Sequence, residues 1–218
     1  MSRYAHPAGS RHAEILPEDN PPLPPEDLNE LDARVWPATA RRTDGELTVG
    51  GVGVRELAAV HGTPLFVMDE EDFRGRARDY RTAFADADVY YAGKALLTKA
   101  VARWVMEEGL KLDVCSGGEL TVALAAGFPA ERIGMHGNNK SVAELRRAVE
   151  VGVGRIIVDS LDEIGRLEAI AADLDARPKV LVRVTTGVEA HTHEFVATAH
   201  DDQKFGFALS TGAAAEAV

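Results

Sequence analysis

Five short apolar runs recur from Val89 onward at nearly equal intervals: VYYAGK, LKLDVCS, RIGMHG, RIIVDS and KVLVRVT. Their polar ends are Lys94, Cys115, His136, Asp159 and Arg183, with spacings of 21, 21, 23 and 24 residues. Between the runs lie helical patterns: LTKAVARWVMEEG, GELTVALAAG, VAELRRAVEVG and DEIGRLEAIAADL. Strict β-α alternation of this kind calls for crossover connections, and therefore for a parallel sheet. No GxGxxG loop accompanies the units. Their repetition without a nucleotide loop favours a (β/α)8 barrel of the TIM type over a doubly wound sheet.

The punctuation agrees with that assignment. Gly109, Gly127 and Gly152 stand where a helix C-terminus needs positive φ. Ser116 with Glu119, Ser141 with Glu144, and Ser160 with Glu163 have the Ser-x-x-Glu spacing of a capping box at a strand-to-helix joint. At about 22 residues per unit, eight units begun near residue 89 would run past roughly residue 265. The sequence has 218 residues and ends in STGAAAEAV, the pattern of a helix just begun. The expectation is a barrel truncated after about five strands, occupying residues 89–218.

Ahead of it, residues 1–30 are rich in Pro, Asp, Glu and Asn and are expected to form a flexible tail. Residues 31–88 are a lead-in. LTVGGVGV and TPLFVMD are expected as strands; VRELAAVHG and EEDFRGRARDYRTAFAD as helices. The net charge of -11 argues against nucleic acid and anionic membrane as partners, since both need a basic surface. No apolar run approaches the ~18 residues of a membrane span, and the N-terminus lacks the apolar region of a secretory signal. One cysteine excludes an intrachain disulfide. A cytoplasmic location is expected.

In a barrel, the C-terminal strand ends ring the active site. Lys94 ends an apolar strand among small residues, where burial can lower the pKa of its amine and free it for Schiff-base chemistry; a lysine snorkelling from the rim fits the same pattern. Asp113, inside LKLDVCS, needs a partner, which Lys94 or Arg183 can supply, as a site residue or as a structural ion pair. Ser116 and Glu119 read as caps, and Cys115 as a small buried hydrophobe. His136 opens HGNNKS, which can bind an anionic group ahead of a helix N-terminus or simply form the turn that feeds the Ser141 cap. Arg183 suits a cofactor oxygen or a carboxylate, or a salt bridge to Asp113 or Asp159. The segment 185–207 is too long for a simple turn and reads as a lid. Its His191, His193 and His200, with Glu194 and Asp201, match no zinc spacing, so no metal is expected.

Four stretches, YYAGKALLTKAVARW, LDVCSGGEL, HGNNKS and GVEAHTHEFVATAHDDQKFGF, together resemble the diaminopimelate decarboxylases of actinobacterial type. These belong to the fold-type III pyridoxal-phosphate decarboxylases, which include ornithine and arginine decarboxylases and share their barrel with alanine racemase. The resemblance runs from about residue 45 to the last residue, with the motifs in the family's order. It implies pyridoxal 5′-phosphate as cofactor, Lys94 as the Schiff-base lysine, and Asp113, Arg183 and His136 around the cofactor. It implies decarboxylation of meso-2,6-diaminopimelate to L-lysine and carbon dioxide, and a homodimer for full-length members. The family's HxGS-type histidine, phosphate loops and second, β-rich domain would lie beyond residue 218, so the isolated chain is expected to be inactive and poorly stable. The alternatives are ornithine- or arginine-type decarboxylation, a non-catalytic pyridoxal-phosphate-binding barrel, and a regulatory fragment that pairs with a longer homologue.

Overall fold

The computed structural model describes residues 30–186 and 205–218. The chain divides into two compact units at Asp72 and Phe73. The first contains β1 (Arg41–Thr43), β2 (Glu46–Val49) and β3 (Val52–Gly53) as an antiparallel sheet, followed by helix α1 (Val54–His61). Asp44-Gly45 and Gly50-Gly51 form its two turns, with positive φ at both positions of each. Two-residue hairpin turns matched to strand twist require that conformation. The run LTVGGVGV is therefore a hairpin folded at Gly50-Gly51, not the single strand expected.

The Thr39 hydroxyl donates a short hydrogen bond to Asp69 and accepts one from the Gly50 N–H at 2.7 Å. Asp69 in turn accepts from the Asp72 N–H at 3.1 Å, so its side chain caps the start of helix α2 (Glu70–Ala83). TPLFVMD does not form the expected strand. No strand among the described residues pairs with it, Pro64 has no N–H to give a ladder, and Phe66 is fully exposed.

The second unit carries the repeating pattern. Its strands are β4 (Tyr90–Ala92), β5 (Lys111–Val114), β6 (Ile133–Met135), β7 (Arg155–Val158) and β8 (Val180–Val182). All pair in parallel, in the order β4-β5-β6-β7-β8. Strand order follows chain order without reversal, as in the winding of a barrel; a doubly wound sheet reverses at a switch point. Helices α3 (Lys99–Glu107), α4 (Gly117–Ala125), α5 (Val142–Val151) and α6 (Leu161–Asp173) make the crossovers. The last strand does not stop at Val182. It resumes as β9 (Val184–Thr185), which pairs in parallel with a short β10 (Phe207–Ala208), ahead of helix α7 (Ala213–Glu216). Five strands of a barrel's eight are thus in one sheet, with a sixth pairing begun.

The core lies between sheet and helices. Leu112, Val114, Ile133, Met135, Ile156 and Val158 meet Val101, Ala102, Val105, Leu120, Ala123, Leu145 and Ala148, all essentially inaccessible. Burial of each larger side chain stabilises by about 1.5–3 kcal/mol. Side chains alternate along β5 and β7, so Asp113, Arg155 and Ile157 point to the opposite face and are only half-buried. Gly109, Gly127 and Gly152 all take positive φ at the helix ends, as expected.

Candidate active site

The strand-to-helix joints ahead of α4, α5 and α6 are built from the same parts, but the glutamates are used differently. Ser141 and Glu144 form the complete reciprocal box. Ser116 accepts from the Glu119 N–H, while the Glu119 carboxylate accepts from the Cys115 N–H at 2.6 Å. Ser160 accepts from the Glu163 N–H, yet the Glu163 carboxylate turns away from the cap to meet Lys140. Glu144 does double duty: its Oε2 accepts from the Ser141 N–H at 2.9 Å, and its Oε1 from the Gly117 N–H at 2.7 Å. These donated hydrogen bonds hold its pKa below the usual carboxylate range. One carboxylate therefore bridges the start of α4, at Gly117, and the cap of α5, at Ser141.

At the C-terminal strand ends, Lys94, Cys115, Ser116, His136, Gly137, Glu144, Arg183 and Phe205 line one cleft of about 580 Å³. Lys94 occupies the turn after β4 and is exposed, the rim position that its sequence allowed beside a buried one. No hydrogen bond or ion pair ties it to another described residue. Gly93 explains the position of this turn. Its N–H donates to the Asp113 carbonyl at 2.8 Å, and a Cβ there would stand 3.0 Å from that oxygen. A larger residue would push Lys94 out of line.

Asp113 meets neither Lys94 nor Arg183. Its carboxylate lies against His136, with Oδ1 3.3 Å and Oδ2 3.4 Å from Nδ1. Nδ1 faces this carboxylate, which leaves Nε2 on the far side of the ring. That Nε2 is inaccessible to water and has no hydrogen-bond partner among the described residues. Gly137 holds the loop in place at φ +100°, where a Cβ would come within 2.7 Å of the Cys115 carbonyl. Cys115 is half-buried; burial, then the Asp113 and Glu119 carboxylates, push its thiol pKa up.

HGNNKS does not turn its lysine toward a ligand. Lys140 is almost wholly buried and donates to the Gly137 carbonyl at 2.6 Å and the Ile157 carbonyl at 2.6 Å, with Glu163 Oε1 at 2.8 Å. Burial raises the Glu163 pKa, against the Lys140 contact, which lowers it. The stretch forms the turn that feeds the Ser141 cap, and its Asn138 and Asn139 line the cleft. The sequence marked the stretch but not the inward course of Lys140, which depends on Glu163, 23 residues away.

Arg183 finds Asp159 as its ionic partner, Nη1 to Oδ1 at 3.6 Å, and lies 4.4 Å from the Phe205 ring centroid. The fold brings Lys94, His136 and Arg183 to one cleft, with Asp113 behind His136. His191, His193, Glu194, His200 and Asp201, and most of the expected lid, lie outside the described residues. Among the described residues, no cluster of three or more His, Cys, Asp or Glu could hold a metal, and no helix is long and apolar enough to cross a membrane.

This set suits a group with an aldehyde and anionic oxygens: a primary amine, an imidazole ring and a guanidinium line one cleft. Comparison with known proteins gives the family. The family described as "Pyridoxal-dependent decarboxylase, pyridoxal binding domain" matches residues 70–218. The diaminopimelate decarboxylase of Mycobacterium leprae is 55% identical over 98% of this chain and 46% of its own length. That of Mycobacterium tuberculosis is 56% identical over 88% of this chain and 43% of its own. The chain therefore spans under half the length of these curated relatives. A diaminopimelate decarboxylase from M. jannaschii, crystallised with L-lysine, superposes with a TM-score of 0.76 at 31% identity, over 83% of this chain and 43% of that one. A lysine/ornithine decarboxylase from Vibrio vulnificus superposes less closely, with a TM-score of 0.53 at 26% identity, over 59% of this chain and 34% of that one.

Proposed function

Because the chain belongs to the pyridoxal-dependent decarboxylase family, through that family's pyridoxal-binding domain, we propose that it supplies the cofactor-holding part of a diaminopimelate decarboxylase. The substrate would be meso-2,6-diaminopimelate and the products L-lysine and carbon dioxide. One observation carries the reading: the Lys94 amine stands without a described partner in the cleft that His136 and Arg183 also line. When bound, pyridoxal 5′-phosphate would supply an electron sink for the charge left by carboxylate loss.

The residues divide the remaining tasks. Lys94 offers the amine that holds the cofactor aldehyde. His136, oriented through Nδ1 by Asp113, lines the cleft with its ring. Arg183 presents a permanent positive charge to an anionic oxygen. Cytoplasmic location and assembly as a homodimer belong to the same reading. The higher identity to diaminopimelate decarboxylases than to the lysine/ornithine enzyme favours diaminopimelate over ornithine as substrate.

The test is chemical trapping. The purified chain is incubated with pyridoxal 5′-phosphate, reduced with borohydride and digested, and the modified peptide is sequenced by mass spectrometry. A stable adduct on Lys94, lost in Lys94→Ala, is expected. Labelling spread over surface lysines, with Lys94 unmodified, would sink the proposal.

A further inference from the structure

Asp159 follows β7 and precedes the Ser160 cap of α6. Its side chain is 1% exposed, yet neither carboxylate oxygen has a hydrogen-bond partner among the described residues. A buried carboxylate in that state is costly unless a cation compensates it. Lys140 is not available for the task. It donates hydrogen bonds to the Gly137 and Ile157 carbonyls and pairs ionically with Glu163. Arg183 remains, at 3.6 Å: close enough for ionic attraction and too far for a hydrogen bond. The same guanidinium lies against Phe205, is 29% exposed on its side chain, and lines the cleft with Lys94.

From this geometry we propose that Asp159 is a positioning residue: its buried charge holds the Arg183 guanidinium against Phe205, so that its other N–H groups face an anionic oxygen of the cleft's ligand. The inference rests on the reading of the cleft as a pyridoxal-phosphate site. A plain structural ion pair would give Arg183 a close hydrogen bond and no open side. Here the pair is loose, and one partner borders the cleft.

The experiment uses the 218-residue chain with Asp159→Asn, Arg183→Met and the double variant, each checked for folding by circular dichroism. Pyridoxal 5′-phosphate affinity is titrated, and the Arg183 Nε–H resonance is followed by NMR. We expect Asp159→Asn to weaken affinity by about tenfold or more and to shift the Arg183 signal. The extent of borohydride trapping on Lys94 at saturating cofactor should not change. In the Arg183→Met background, Asp159→Asn should change affinity less than twofold, because its effect passes through Arg183. Equal losses in both backgrounds, or an unshifted Arg183 resonance, would overturn the proposal. If the wild-type chain takes no cofactor, the functional reading fails, and the Arg183 resonance still decides the role of Asp159. If Asp159→Asn does not fold, the wild-type spectrum decides: a guanidinium rotating as freely as in unfolded peptide refutes the positioning role, and a restrained one supports it.

Discussion

Removing the ammonium of Lys140 should expose how this half-barrel is held together. Lys140→Met leaves the Gly137 and Ile157 carbonyls without their donor and leaves Glu163, 3% exposed on its side chain, beside Asp159 with no cation of its own. Breaking a buried pair by removing one partner costs about 3–5 kcal/mol, a large share of the ~5–15 kcal/mol that stabilises a domain. With a urea slope near ~2 kcal/mol/M, the unfolding midpoint should fall by roughly 1.5–2.5 M. The pH dependence follows from Glu163. Burial already raises its pKa, and Lys140 is the main influence pulling it down, so the variant raises it further. A carboxyl whose folded pKa lies above its unfolded value stabilises the fold at low pH and loses that contribution as pH rises through the folded pKa. The deficit of Lys140→Met should therefore be largest near neutrality and shrink as acid protonates Glu163. Urea titrations at several pH values measure it. A deficit under about 1 kcal/mol, or one that does not change with pH, would refute the reasoning. Lys140→Met combined with Glu163→Leu should recover most of the loss, because no charge is then stranded.

Four further outcomes are expected. Ser141→Ala removes half of a complete capping box and should cost about 1 kcal/mol in urea unfolding, more than Ser160→Ala, whose glutamate is engaged elsewhere. Gly154→Ala should destabilise by well over ~1 kcal/mol, since its Cβ would lie 2.1 Å from the Glu131 carbonyl; a variant as stable as wild type would contradict that contact. Cys115 should be alkylated by iodoacetamide more slowly than free cysteine at pH 8, because burial and two carboxylates raise its pKa; mass spectrometry over time reads the rate. The isolated chain should release no carbon dioxide from diaminopimelate, and a measurable rate of gas evolution would refute that.

The repeating unit was legible because its signals are local. Strand-end spacing, the C-terminal glycines and the three serine caps depend on residues a few positions apart, and all appear where the pattern placed them. The lead-in was harder for the same reason turned round. LTVGGVGV has one strand's composition, but Gly50 and Gly51 fold it, and the Asp44-Gly45 pair upstream is the stronger hairpin signal that marks the sheet. The site divided in the same way. The sequence placed Lys94, His136 and Arg183 at strand ends. It left open whether Lys94 would be buried or exposed, and it did not reveal that Asp113 would choose His136 or that Lys140 would turn inward. Those last two choices were made by a neighbour on another β-α unit.

The glutamates of these joints also impose a direction on assembly. Glu144 reaches back to Gly117, in the preceding unit, and Glu163 reaches back to Lys140, again in the preceding unit. Both latches join a new helix start to residues already made. On a ribosome, each can close once its own helix has left the exit tunnel, without waiting for anything downstream. The growing chain can thus secure its sheet strand by strand from β5 to β7, with a charged tie across each seam as translation proceeds.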